Sequence, residues 1–218
     1  MRINVHAGHN PANMIGCGAC GLLNESTEAR RIKNVVIKLL KEQGHTVYDC
    51  TCDNGTSQSD VLNKIVAKCN SNTVDLDVSI HLNAGGGHGT EVLVYDVSKN
   101  SPVTIAENIA NAISNLGFTN RGIKARPDLA VLRSTKAPAL LIECCFVDSP
   151  IDYNIYNVES MAKAIVFGIT GEEAKGEPKS DTVYRVQVGA FRNKEYAEAY
   201  EKKLEEDNYD AYIVEGKK

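Results

Sequence analysis

From Arg2 to Thr170, short apolar runs of strand type alternate with stretches whose apolar residues recur at helical spacing. That alternation restricts the chain to a layered α/β architecture, with a largely parallel or mixed central sheet flanked by helices. Arg2 to Val5, Thr46 to Cys50, Leu76 to Leu82 and Gly89 to Tyr95 read as strands, and Val131 and Leu132 begin another. Between them, Ile32, Val35, Val36, Leu39 and Leu40 mark one face of a helix that starts near Glu25 and stops at Gly44. Val61, Leu62, Ile65, Val66 and Cys69 mark a second helix from Ser57 to Asn70, and Pro102 opens a third with Ile105, Ile109, Ile113 and Leu116 as its stripe. Ala139 to Cys145 is apolar apart from Glu143, the composition of a strand buried on both faces. A helix over about Val158 to Gly168 closes the domain.

After Thr170 the composition becomes charged and rich in Gly and Pro, which places a linker at 171–181 between a domain at 1–170 and a small unit at 182–218. The small unit reads as a strand (Thr182 to Gly189), a helix (Lys194 to Asp207) and a strand (Asp210 to Val214), a partial α+β element. Residues 172–218 hold 12 acidic and 9 basic side chains, so most of the formal charge of −4 lies there. Such a balance supplies no overall basic field for nucleic acid or anionic lipid. No apolar stretch approaches the roughly 18 residues of a membrane span, and the N-terminus does not read as a signal peptide. Seven cysteines, an odd number, in a chain read without an export signal argue for a reducing place of synthesis and against a disulfide framework. Cys17 and Cys20 have the spacing of half a zinc knuckle, but a second pair with that spacing is missing.

Three residues of zinc-ligand type fall where strands end or helices begin: His9 after the first strand, Glu25 at the start of the first helix, and His81 near the end of the third strand. A parallel sheet gathers such positions on one edge, where α/β active sites form. Two imidazoles and a carboxylate, with a fourth position left to water, make a catalytic zinc set suited to hydrolysing an unactivated amide. Glu143, a carboxylate in an otherwise apolar strand, is the candidate for moving protons, since its burial needs a metal, an arginine or a catalytic duty to offset it. Alternatives stand beside each assignment. Glu28 rivals Glu25, either can be a plain helix-start carboxylate, His6 and His88 lie near the same edge, and Glu143 can pair with Arg133.

These residues sit in ordered motifs that resemble the zinc amidases known as N-acetylmuramoyl-L-alanine amidases of the third amidase type, over nearly all of residues 1–170. Val5-His6-Ala7-Gly8-His9-Asn10 is similar to the family's opening strand and Gly-His ligand, and Ser79-Ile80-His81-Leu82-Asn83-Ala84 to its second histidine motif. Gly89-Thr90-Glu91, Asn120-Arg121-Gly122, Val131-Leu132-Arg133, Pro138 and Leu141-Ile142-Glu143 follow in family order, with Phe146 and Asp148 behind them. The chain departs from the family at Cys144-Cys145, where a Gly is usual. The resemblance implies Zn2+ held by His9 and His81, through their motifs, and by Glu25, selected over Glu28 by counting back from Leu39 and Leu40. It implies Glu143 as general acid/base; in the mechanism read from these residues, Arg133 helps the metal to steady the oxyanion. The implied reaction is hydrolysis of the bond between N-acetylmuramic acid and L-alanine in peptidoglycan.

The tail resembles the first half of a sporulation-related repeat domain, with Tyr184 to Phe191 as its first strand and Ala197 to Leu204 as its first helix. That resemblance implies binding to glycan strands, and a half-length unit leaves a sheet edge and an apolar face to be covered by a second copy, hence a homodimer. Synthesis in the cytoplasm, with access to the wall by lysis or a holin, is expected. The competing readings are an idle wall-binding module and a zinc peptidase or deacetylase with the same ligands.

Overall fold

The computed structural model describes residues 1–98, 100–173, 187–206 and 211–214. The chain divides into two compact units, 1–175 and 176–218. In the first, a six-stranded sheet is built from β1 (Arg2–Ala7), β2 (Thr46–Asp49), β3 (Leu76–Asn83), β4 (Thr90–Val94), β5 (Asn120–Ala125) and β6 (Ala139–Phe146), in the order β2-β1-β3-β6-β4-β5. β2, β1, β3 and β6 run parallel; β4 is antiparallel to β6, and β5 is parallel to β4. The mixed α/β layering expected from the sequence is therefore present.

Helices cover both faces. α1 (Glu25–Glu42), α3 (Asn100–Ser114) and α6 (Val158–Thr170) pack on Ile3, Val5, Val78, Ile80, Leu140 and Ile142 in the larger core. α2 (Gln58–Asn70) and α4 (Ala130–Ser134) cover the opposite face, where Leu93, Ala139 and Leu141 meet Val61, Ile65, Val131 and Leu132. α1 begins where the Asn24 side chain accepts from the Thr27 N–H, and it stops before Gly44, whose φ of 84° lies in the left-handed region. Ile142, fully buried in the penultimate strand-to-strand core row between Ile80 and Val92, is a sensitive probe of this packing. Truncation Ile142→Ala is expected to cost about 2–5 kcal/mol. Urea unfolding of the metal-free protein measures it.

Chain order places the site. β1 leads through α1 to β2 on one side, and α2 then carries the chain back across β1 to β3 on the other side and on the other face. The carboxyl ends of β1 and β3 therefore flank a topological switch point, the usual crevice of an open α/β sheet.

Three local expectations are corrected. Val131 and Leu132 lie in the short helix α4, because both side chains bury against the α2 layer, and the strand starts only after Pro138. β5, polar and largely exposed, was not expected as a strand; it forms because β4 offers it a parallel partner. α5 (Pro150–Ile155) was also missed, although Ser149 caps it and Pro150 opens it.

The second unit contains α7 (Lys194–Glu206), which buries no side chain. The strand expected at Thr182 to Gly189 lies mostly outside the described residues, as does the linker, and residues 187–190 and 211–214 are not strands.

Candidate metal centre

Side chains alternate along a strand, so β6 sends Ala139, Leu141 and Glu143 to the face that α2 and α4 cover. Those helices bury Ala139 and Leu141, and the row then emerges at Glu143. His81 stands directly beside Glu143 on β3, and Glu91 stands directly beside it on β4. The open end of this face is thus a polar strip, His81-Glu143-Glu91, laid across three strands.

His9 and Glu25 close on the β3 end of the strip. His9 follows β1 with a left-handed φ of 61°, which turns the chain over the strand end. Glu25, the first residue of α1, reaches His81 Nδ1 at 2.9 Å and His9 Nε2 at 3.3 Å, both through Oε1. One donor atom from each of His9, Glu25 and His81 lies within 4.8 Å of the others. The second Glu25 oxygen accepts from the Ala19 N–H at 2.9 Å, which fixes the carboxylate's rotation. Burial alone would push the Glu25 carboxyl up, but hydrogen bonds from His81 and His9 hold it well below the usual carboxylate range. Burial likewise works against a charged His81, yet the Glu25 hydrogen bond and the Glu143 charge raise its pKa. Two imidazoles and one carboxylate at this spacing fit a divalent ion such as zinc.

Two glycines make the cluster possible. A Cβ on Gly8 would run into the His81 ring, and one on Gly18 would run into the Glu25 carboxylate. The alternatives left open by spacing separate cleanly. Glu28 turns away to Arg31 and the Tyr156 hydroxyl. His6 is buried beside Ser79 Oγ, and burial lowers its pKa to about 3. His88 is outside the cluster.

Glu143 has one fully buried oxygen, Oε2, with no hydrogen-bond partner among the described residues. Burial pushes its pKa up to about 7; the His81 charge opposes the rise, and Glu25 and Glu91 add to it. Pairing with Arg133 does not occur. The Arg133 guanidinium bonds the Asp128 carbonyl just before α4, and Arg126 is the arginine whose charge reaches Glu143. The oxyanion role expected of Arg133 therefore has no geometric support.

Other residues around the strip were not anticipated as site elements. The Asp148 carboxylate accepts from the N–H groups of Gly85 and Gly86, both at 2.9 Å, and so holds the glycine loop after β3. Glu91 accepts from Asn83, Arg121 and Lys124. No signal in the chain singled out Glu91 beyond its place in a family motif. Cys17 and Cys20 are exposed free thiols flanking Ala19, while Cys144 and Cys145 are buried, and burial raises the pKa of both.

Residues 3–171 match the family model described as N-acetylmuramoyl-L-alanine amidase, and residues 180–218 match the SPOR domain. An uncharacterized 38.4 kDa protein of Clostridium perfringens is 35% identical over 165 residues, which is 72% of this chain and 46% of that protein. A sporulation-specific N-acetylmuramoyl-L-alanine amidase of Bacillus subtilis is 31% identical over 160 residues, covering 70% of this chain and 62% of the relative. Among solved structures, the catalytic domain of the CD27L endolysin targeting Clostridia difficile superposes with a TM-score of 0.74 at 29% identity, covering 80% of this chain and 99% of that one. The chain spans about half the length of the first curated relatives it matches. With its fold, its His-Glu-His cluster and a match across residues 3–171, the chain belongs to the metal-dependent N-acetylmuramoyl-L-alanine amidase family.

Proposed function

We propose that the chain is a zinc-dependent hydrolase of the amide bond between N-acetylmuramic acid and L-alanine in peptidoglycan. One observation carries the reading: the donor atoms of His9, Glu25 and His81 converge within 4.8 Å, next to a Glu143 oxygen that is buried and unpartnered. His9 and His81 would each present one imidazole nitrogen, and Glu25 its Oε1, to the ion. Bound there, the ion supplies Lewis acidity, acidifying water and polarising the scissile carbonyl. Glu143 does the proton work: its carboxylate, beside His81 across the strand pair, accepts the proton of the attacking water and returns it to the departing alanine amine. In the metal-free protein burial pushes its pKa up to about 7. The Gly85 to Gly87 turn, pinned by Asp148, admits a bulky glycopeptide close to the strip. Mass spectrometry of digested wall tests the reading: new alanine N-termini on the stem peptides are expected. Cleavage within the peptide, with the muramoyl bond intact, would show a peptidase instead.

The Gly8 position is a second check on the ligand assignment. In Gly8→Ala the new methyl displaces the His81 ring, and zinc affinity measured by competition with a chromophoric chelator is expected to fall about 10–100-fold.

The C-terminal unit, which matches the SPOR domain, would dock on glycan strands, and we propose that it pairs with a second copy. Val188, Phe191, Tyr196, Tyr212 and Val214 are exposed in this unit, an apolar surface that pairing would cover. Light scattering at tens of micromolar is expected to give a dimer; a monomer there would refute the pairing.

A further inference from the structure

Past Glu143 the polar strip continues to the edge strand β5, where Glu91 anchors two cations. Glu91 Oε1 accepts from Asn83 Nδ2 at 3.1 Å, and Oε2 accepts from Arg121 Nε at 2.8 Å and from Lys124 Nζ. The Arg121 guanidinium also lies over the Phe146 ring, 5.0 Å from its centroid. That ring is backed by Gly87, where a Cβ would overlap it. One N–H and one face of the guanidinium are thereby used, its plane is fixed, and its Nη edge donates to no other described residue. Burial of Glu91 is nearly complete, while the Arg121 and Lys124 side chains remain 34% and 43% exposed. A single carboxylate cannot neutralise two cations, so the trio presents net positive charge to solvent through the exposed Arg121 and Lys124 side chains.

A rigid fork of this kind matches a planar carboxylate. The glycan side of the substrate offers none, because its one carboxyl, the lactyl group's, is tied up in the scissile amide. The peptide side does. Strands lie about 4.8 Å apart, so a ligand crossing from His81 past Glu143 to the cations that Glu91 holds covers two strand spacings, on the order of 10 Å. At about 3.3–3.6 Å per residue, that is two or three residues of extended peptide.

Resting on the amidase reading above, we infer that Arg121 and Lys124 form a receptor for a free carboxylate on the leaving peptide, two or three residues from the scissile bond, and select stem peptides that carry an acid there over those that carry a carboxamide. The test uses two N-acetylmuramoyl tripeptides of one sequence, with free carboxylates or with carboxamides on the second and third residues. Full-length, zinc-loaded protein is expected to prefer the acid about tenfold or more in kcat/KM, with the difference in KM. In Arg121→Gln that preference falls to near unity, and in Lys124→Gln it shrinks; the second variant serves if the first does not fold. Absence of a preference in the parent protein, or its survival in Arg121→Gln, overturns the receptor. If neither substrate is cut at the muramoyl bond, the amidase reading fails by itself, and calorimetry with the free tripeptides decides the receptor. Tighter binding of the acid by the parent protein and not by Arg121→Gln upholds it, and equal binding refutes it.

Discussion

Replacing Glu143 by glutamine is expected to lower the rate of alanine-amine release from purified wall by about 10²–10⁴-fold while zinc remains bound. Glutamine keeps the size and polarity of the side chain but cannot accept the water proton. Because Glu143 is not in the His9-Glu25-His81 cluster, metal content by mass spectrometry should match that of the parent protein. Full activity in Glu143→Gln would sink the proton-transfer role. The same substitution has a signature in stability. Burial raises the folded pKa of Glu143 from 4.5 to about 7, so between those values the folded metal-free protein holds a proton that the unfolded chain has lost. Stability from this group is fully present below pH about 4.5 and declines as pH rises through about 7. Glu143→Gln escapes that decline. Measured against the parent by urea unfolding in chelator, it should gain relative stability from pH 4.5 to 7 and hold the gain above. An activity loss without this pH-dependent gain would mean that Glu143 is not buried unpaired.

Loss of a ligand should act differently. His81→Ala is expected to reduce zinc affinity by more than the ~10–100-fold that follows from disturbing an outer-shell partner, and activity should vanish with it. In the parent protein a chelator should abolish hydrolysis and added zinc should restore it, whereas His81→Ala should stay inactive at equimolar zinc. Linkage provides a readout independent of turnover: zinc at 1,000 times its dissociation constant should stabilise the parent protein by about 4 kcal/mol. The variant should show little of that gain. A parent protein whose unfolding is indifferent to zinc would remove the metal from this site.

Particular residues show how far the chain could be read in advance. Ile32, Val36, Leu39 and Leu40 repeat with the helical period and are buried in α1, and Ser57 to Asn70 reads correctly as a helix because it has both a stripe and a cap. Glu143 could be singled out because charge is rare within a run of apolar residues. β5 could not: Asn120 to Ala125 carries no strand pattern, and its conformation comes from the β4 edge it completes. α4 was misread for a related reason. Val131 and Leu132 suit either structure locally, and the α2 surface beside them decided it. Arg133, near the end of α4, donates to the Asp128 carbonyl.

By itself the sequence determined the alternation of strands and helices, the apolar faces, and the small set of histidines and carboxylates from which a site could be drawn, because these depend on spacing along the chain. The tertiary structure decided which members of that set meet. Glu25 and His81 are 56 residues apart and touch at 2.9 Å only because α2 returns the chain across β1 to lay β3 beside it. Glu28 instead meets the Tyr156 hydroxyl and His6 is buried beside Ser79, while the pairing of β4 with β6 sets Glu91 beside Glu143 and hydrogen bonds from Arg121 and Lys124 join it. Spacing is a property of neighbours in sequence, whereas convergence depends on strand order and register, which are set by burying two faces of one sheet at once.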